Sequence, residues 1–134
     1  MYIFTNKTIP QQPPELEFGN KEYKTVIVYK YKKRNPNISY KNYIENKSTQ
    51  MLYRLIEGNG KAIYMLGIRD DGKIWGMTKE EMENTVSNLK SMSKMIKAEI
   101  KSIRVYKGGR GYVCSVRIFL NENEFKNKIK NSIV

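Results

Sequence analysis

The sequence predicts a single α+β domain in which two helices pack on a mostly antiparallel sheet, in the order β-α-β-β-α-β-β. Three observations predict it: two segments with apolar residues at helical spacing, β-rich segments between them, and an Asp-Gly hairpin near the middle of the chain. With 134 residues, 40% of them hydrophobic, the chain is long enough to bury one core. We expect an extended N-terminal arm over residues 1–16, the α+β domain over residues 17–120 and a polar tail over residues 121–134.

The arm is predicted from its prolines, because three of the four prolines lie in residues 1–16 and interrupt both helices and central strands. The first strand is predicted in EYKTVIVYKY, residues 22–31. Its apolar run from Val26 to Val28 indicates an interior strand that is buried on both faces.

The first helix is predicted to start after Ser39, which has the side chain of a helix cap, and to run to about Glu57 before Gly58. The second is predicted to start after Thr78, where Glu81 completes a capping box. The predicted buried face of the first helix consists of Tyr40, Ile44, Met51, Leu52 and Leu55. That of the second helix consists of Met82, Val86, Leu89, Met92 and Ile96.

The stretch KAIYMLGIRDDGKIWGM, residues 61–77, predicts a hairpin with arms at 61–69 and 73–77. Asp71 and Gly72 suit a two-residue turn in which both residues have positive φ. The last two strands are predicted in IKSIRVY and YVCSVRIFL, joined by the glycine loop KGGRG at residues 107–111.

The charge balance, 25 Lys+Arg against 13 Asp+Glu, gives a net charge of +12 and favours a phosphate-rich partner, with nucleic acid as the first candidate. Two loops, YKYKKRN at residues 29–35 and KGGRG at residues 107–111, place cations beside tyrosines or glycines. Such segments pair with phosphates and stack on bases, although both could instead be solvated surface loops. The predicted RNA-binding residues are Tyr29, Lys30, Tyr31, Lys32, Lys33, Arg34, Lys107 and Arg110.

Several kinds of chemistry are disfavoured by composition. No histidine is present, so His-dependent nucleophiles, bases and metal ligands are excluded. Cys114 is the only cysteine, which fits an intracellular, reducing compartment. EGNGKAI lacks the upstream glycine and the Ser or Thr of a phosphate-binding P-loop. We expect a cytoplasmic protein with no cofactor and no membrane span.

Carboxylates are the remaining catalytic groups. Glu17 and Glu22 flank the start of the first predicted strand, and Asp70 and Asp71 lie at the end of the second. If these strands are neighbours in the sheet, the four carboxylates could converge and bind Mg²⁺ or Mn²⁺. Neighbouring cations would compete with a metal. We therefore expect a degenerate site in which Glu22 and Asp70 form ion pairs and Asp71 makes the turn.

Three segments carry a family resemblance: PPELEFGNKEYK (13–24), TQMLYRLIEGNGKAIYMLGIRDDGKIWGM (49–77) and EEMENTVSNLKSMSKMIKAEI (80–100). They resemble the N-terminal domain of the GTP-binding protein 1 and 2 family of elongation-factor-like GTPases. Since a GTPase domain follows in that family, the resemblance implies an accessory domain that binds ribosomes or RNA, with a GTPase domain as partner if the natural chain is longer.

A more distant resemblance links ELEFGNKEYK and LGIRDDGKIWGM to the Schlafen and AlbA-like domain pattern. In nuclease members of the Schlafen family, a Glu, Glu, Asp set binds metal and cleaves RNA. The resemblance assigns that set to Glu17, Glu22 and Asp70 here.

The prediction is a non-catalytic, ribosome-associated domain that binds structured RNA, including ribosomal RNA, in translation. Occupation of an idle ribosome (ribosome hibernation) is one form of that role. The alternatives are a metal-dependent, Schlafen-like endoribonuclease that uses Glu17, Glu22 and Asp70, and a basic module that binds an acidic protein.

Overall fold

The computed structural model describes residues 2–29 and 39–132. These residues form β1 (Tyr2–Thr8), β2 (Lys21–Lys24), α1 (Tyr40–Glu57), β3 (Lys61–Leu66), α2 (Lys79–Met95), β4 (Glu99–Gly108), β5 (Gly111–Phe119) and α3 (Glu122–Ser132). The strands make one sheet in the order β1-β4-β5-β3-β2. The predicted α+β class is confirmed.

The sheet is mixed rather than mostly antiparallel. The β3–β5 and β4–β5 pairs are antiparallel, whereas β1 runs parallel to β4 and β2 runs parallel to β3. Both parallel strands lie at the edges of the sheet. Parallel pairing joins segments that are distant in sequence, so local patterns could not predict it.

Both predicted helix starts are confirmed. The Ser39 hydroxyl accepts a hydrogen bond from the Asn42 N–H at 3.1 Å. In the capping box of α2, the Thr78 hydroxyl accepts from the Glu81 N–H at 3.1 Å, and the Glu81 carboxylate accepts from the Thr78 N–H at 2.9 Å. These bonds satisfy N–H groups that have no partner within the helix.

Helices α1 and α2 cover one face of the sheet and form the main core with it. The five residues predicted for the buried stripe of α2 are all buried. On α1 the prediction is less complete, because Tyr40 is exposed while Ser48 and Arg54 are buried. Of the helices in the described residues, none is both long and apolar enough to cross a membrane.

The first predicted strand is wrong in extent and position. Strand β2 ends at Lys24 and lies at the edge of the sheet. Ile27 is buried in the core outside any strand, where its N–H donates to the Thr85 hydroxyl at 3.0 Å. Its carbonyl accepts from the Asn88 amide at 2.7 Å. Polar side chains of α2 thus satisfy this backbone in place of a neighbouring strand.

The chain termini contain more structure than the sequence predicted. In the expected extended arm, residues 2–8 form the edge strand β1. In the expected polar tail, α3 starts after Asn121, whose side chain accepts a hydrogen bond from the Glu124 N–H at 2.8 Å. Phe125 packs that helix against the core.

The predicted two-residue turn is a three-residue turn. The Gly72 N–H donates to the Arg69 carbonyl and the Arg69 N–H donates to the Lys73 carbonyl, each at 2.9 Å. Gly72 has a φ of 89°, whereas Asp71 lies outside the positive-φ region. This pattern matches a type I turn followed by a glycine bulge. The second arm is not a strand of the sheet. Ile74 forms an isolated bridge with Ile68, and the Trp75 and Gly76 N–H groups both donate to the Gly67 carbonyl at 2.9 Å.

Candidate nucleic-acid interface

The first predicted basic loop lies largely outside the described residues, which leaves the prediction for Lys30, Tyr31, Lys32, Lys33 and Arg34 as it stands. Its first residue, Tyr29, is described. The Tyr29 ring packs against Tyr40 and Tyr43 of α1, with ring centroids 5.6 Å apart in each pair. These contacts pack the Tyr29 ring against α1, and Tyr29 is the first residue of the predicted basic loop.

In the second predicted loop, Arg110 has several partners within the protein. Its Nε donates to the Gly76 carbonyl at 3.0 Å, and its NH2 group lies 2.6 Å from the Glu81 carboxylate. The guanidinium also sits over the Trp75 ring, 4.4 Å from the centroid. The Thr78 N–H, and then Arg110, lower the pKa of Glu81 and keep it ionised. Arg110 therefore ties the β4–β5 turn to the start of α2.

Lys107 belongs to the same loop but is exposed, and it forms no ion pair within residues 2–29 and 39–132. Of the two cations predicted in this loop, Lys107 is the one whose charge is available to an external phosphate.

The carboxylates in and just before β2 lie around a buried arginine that the sequence did not indicate as a site residue. Arg54 of α1 places its Nε 2.6 Å from the Glu22 carboxylate, and both side chains are largely buried. The same guanidinium donates to the Leu16 and Gly19 carbonyls at 2.9 and 3.0 Å. Lys24 adds a second cation 3.3 Å from Glu22. The predicted ion pairing of Glu22 is confirmed, with Arg54 as an additional partner.

Glu15 completes this cluster. Its carboxylate accepts a hydrogen bond from the Tyr23 N–H and lies 3.9 Å from Arg54. Burial raises the pKa of Glu15, and the charges of Glu22 and Asp70 add to that increase. The Tyr23 N–H and Arg54 oppose it. The cluster joins the N-terminal segment to α1 and β2.

The other two carboxylates of the predicted metal set lie elsewhere. Glu17 is exposed, and Asp70 is exposed in the hairpin turn, where its carbonyl accepts from the Glu15 N–H at 2.7 Å. The predicted ion pair of Asp70 is absent from the described residues. Within those residues, no group of three His, Cys, Asp or Glu side chains is placed to hold a metal ion. The Glu17, Glu22, Asp70 metal set therefore does not assemble here.

A cleft of about 500 Å³ lies between the end of β2 and the hairpin turn, and it is lined by Tyr23, Lys24, Thr25, Val26, Arg69, Asp70 and Asp71. Its charges are mixed. Lys24 pairs with Glu22, and the exposed Arg69 lies 3.5 Å from Asp71. This balance gives the cleft no clear preference for an anion.

A different basic surface appears on the sheet face opposite α1 and α2. Side chains alternate between the two faces of a strand, so the register places one set of strand residues on this side. Near the hairpin, a small cluster around Met65 and Val113 covers the face, together with Ile9 and Ile74. We define the open sheet face by eight residues on the rest of this side: Lys21, Lys61, Ile63, Lys101, Arg104, Ser115, Arg117 and Phe119. Ile63 borders the apolar cluster. Glu99 and Ser102 lie on the same side, opposite Phe119 and Arg117.

The sequence did contain a signal for this surface. Arg104 alternates with buried Ile103 and Val105, and Arg117 alternates with buried Val116 and Ile118. Period-2 alternation indicates a strand with one solvent-facing side. The pairing of β3, β4 and β5 determines which cations lie on the same side of the sheet. The sequence alone therefore could not predict this surface.

Comparison with known proteins finds relatives named GTP-binding protein 1 or 2. GTP-binding protein 2 of mouse and of human are each 39% identical to this chain over 95 residues, which is 71% of the chain and 14% of either relative. The chain is related to one segment of GTP-binding proteins 1 and 2. GTP-binding protein 1 of Xenopus laevis is 32% identical over 78 residues, which is 57% of the chain and 12% of the relative.

The resemblance to the GTP-binding protein 1 and 2 family is thus confirmed, for a chain that spans about a seventh of the length of these curated relatives. No protein-family model matches the chain. The Schlafen and AlbA-like resemblance stays a prediction.

Proposed function

We propose that this chain is a non-catalytic RNA-binding domain that acts in translation, in association with ribosomal RNA. The observation that carries the proposal is the excess of uncompensated positive charge. The ion pairs of the described residues engage Lys24, Arg54, Arg69, Arg110 and Lys126, and the other described Lys and Arg side chains form none. With a net charge of +12, these free cations attract a polyanion.

The relatives support the setting of this proposal. Their names state that they bind GTP, and the matched segment is a small part of their length. The EGNGKAI segment of this chain lacks the P-loop pattern. We therefore assign no GTP binding to this segment and propose that it supplies RNA affinity to a translation GTPase or to a ribosome-bound factor.

The test measures binding of the full chain to a ribosomal RNA fragment at several salt concentrations, and sedimentation of the chain with ribosomes. A variant with Lys30, Lys32, Lys33 and Arg34 changed to Ala removes four candidate phosphate contacts. We expect the slope of log affinity against log salt to flatten by about 3.6, since each of the four duplex phosphate contacts contributes about 0.9.

A control variant with Ala at Lys41, Lys90, Lys94 and Lys97 removes the same charge from exposed helix and turn positions. An equal change of slope in both variants would assign the effect to net charge alone. The proposal fails if the wild-type chain shows no salt-dependent RNA affinity. Metal-dependent cleavage that disappears in Glu22→Ala and Asp70→Ala variants would replace it with the nuclease alternative.

A further inference from the structure

We propose that the open sheet face is a binding site for single-stranded RNA, in which Phe119 stacks on a base and the surrounding Lys and Arg side chains contact the phosphates. The inference rests on the proposed RNA-binding function and specifies the surface and the RNA conformation. The residues that define this face differ from those of the two predicted basic loops, so the two sets of residues can be tested separately.

The geometry centres on β5, the middle strand of the sheet. The register places Phe119 opposite Lys61 of β3, and places Arg117 opposite Ile63 of β3 and Ser102 of β4. Directly opposed residues of an antiparallel pair have Cβ atoms about 4.5–5.5 Å apart. Phe119 and Arg117 are two residues apart on one strand, so an aromatic ring and a guanidinium stand side by side on this face.

The Phe119 ring already forms a cation–π contact within the protein. The Lys101 ammonium lies over it, 4.7 Å from the ring centroid. Lys101 occupies a register irregularity between Ile100 and Ser102, which accounts for its reaching the ring. A lysine on a flexible stem can move aside for a base and then pair with the adjacent phosphate.

Charge on this surface is strongly one-sided. Arg104, Arg117 and Lys61 are exposed, and no ion pair with any described residue neutralises them. Glu99 is the only acidic residue in β3, β4 and β5, and it lies at the end of β4, paired with Phe119. A basic field around one aromatic ring is complementary to a phosphate backbone with accessible bases.

The aromatic ring favours single strands over duplexes. Bases of a duplex are stacked within the helix and cannot reach a protein ring, whereas unpaired bases can splay onto it. Small side chains such as Ser115, opposite both Arg104 and Met65, leave the middle of the face low enough for a strand of RNA to lie across it.

The first experiment changes the ring. Full chains carrying Phe119→Leu and Phe119→Tyr are titrated with a mixed-sequence RNA of about 12 nucleotides, and with the same RNA annealed to its complement. The leucine variant should bind the single strand at least about fivefold more weakly, because base stacking is lost while apolar volume is kept. The tyrosine variant should bind like the wild type, and the duplex should respond less to either change.

The second experiment changes the cations. A variant with Gln at Lys61, Arg104 and Arg117 should flatten the salt slope for the single strand by about 2, since each single-strand phosphate contact contributes about 0.7. Its control has Gln at Lys41, Lys90 and Lys94, which carry the same total charge on α1 and α2. Melting temperatures show whether each variant is folded.

The outcomes separate this inference from the proposed function. RNA binding that weakens with the loop variant at Lys30–Arg34 but not with Phe119→Leu would overturn the sheet-face site and leave RNA binding in place. Equal effects of the two Gln variants would also overturn it. If the variant with Gln at Lys61, Arg104 and Arg117 lost affinity for an acidic peptide while its RNA affinity stayed unchanged, the face would bind a protein partner. That result would contradict the inference.

Discussion

Replacing Arg54 with methionine tests the buried ion pair that holds the N-terminal segment to α1. Methionine has about the same helix propensity and apolar length as the arginine stem, so the change mainly removes the guanidinium. Glu22 would then be left buried without the partner that lies 2.6 Å away. Removing one member of a buried pair costs about 3–5 kcal/mol.

The structure indicates the lower end of that range. Lys24 stays 3.3 Å from Glu22 and still compensates part of its charge. The Leu16 and Gly19 carbonyls also lose donors, but Leu16 is 59% exposed and water can replace the guanidinium there. We expect Arg54→Met to lower the free energy of unfolding by about 3 kcal/mol, a large part of the 5–15 kcal/mol typical of a domain.

The assay is urea unfolding at pH 7, followed by far-ultraviolet circular dichroism. Arg69→Met is the matched control, because its ion pair with Asp71 is half exposed, and a change within about 0.5 kcal/mol is expected. Combining Arg54→Met with Glu22→Gln should recover about 1–3 kcal/mol relative to the sum of the single changes. A loss below about 1 kcal/mol for Arg54→Met would refute the reasoning, since the pair would then behave like a surface salt bridge.

Three further predictions concern the turn, a helix cap and pH. Gly72→Ala should destabilise the protein by at least about 2 kcal/mol, because φ is 89° and the new Cβ would lie 2.0 Å from the Gln12 carbonyl oxygen. Gly19→Ala, with φ of 92° and open space around the Cβ position, should cost less in the same unfolding assay. Thr78→Ala should cost about 1 kcal/mol through loss of the capping box, and an unchanged melting temperature would contradict that. Burial raises the pKa of Glu15 above 4.5, so its protonated form favours folding below that pH and this contribution is lost as pH rises through the raised pKa. The stability of the wild type relative to Glu15→Gln should therefore fall with rising pH, and a constant difference would contradict the assignment.

Local signals in the sequence determined α1 and α2, whereas α3 formed in the segment expected to be a polar tail. Ser39 and Thr78 fixed where α1 and α2 begin, because a side-chain cap acts within three residues of itself. The stripe on α2 was identified for the same reason, since residues three or four apart share one helical face. The family relationship also followed from sequence, because matched segments cover most of the chain.

The hairpin was determined only in part. Its location followed from Asp71 and Gly72, but its length did not, because two- and three-residue loops use similar residues. The turn is also fixed by a distant segment: the Gln12 N–H donates to the Gly72 carbonyl at 3.1 Å.

Tertiary structure alone decided the edge strands, the buried Arg54–Glu22 pair and the open sheet face. The parallel partners of β1 and β2 are β4 and β3, which are far away in sequence. No local pattern in an edge strand predicts which strand it pairs with. Nothing near Arg54 in the sequence indicated that the fold would bury it against Glu22, which lies 32 residues earlier. Arg104, Arg117 and Lys61 share one face only because β3, β4 and β5 pair in this register, and a shift of one residue would have turned them into the core.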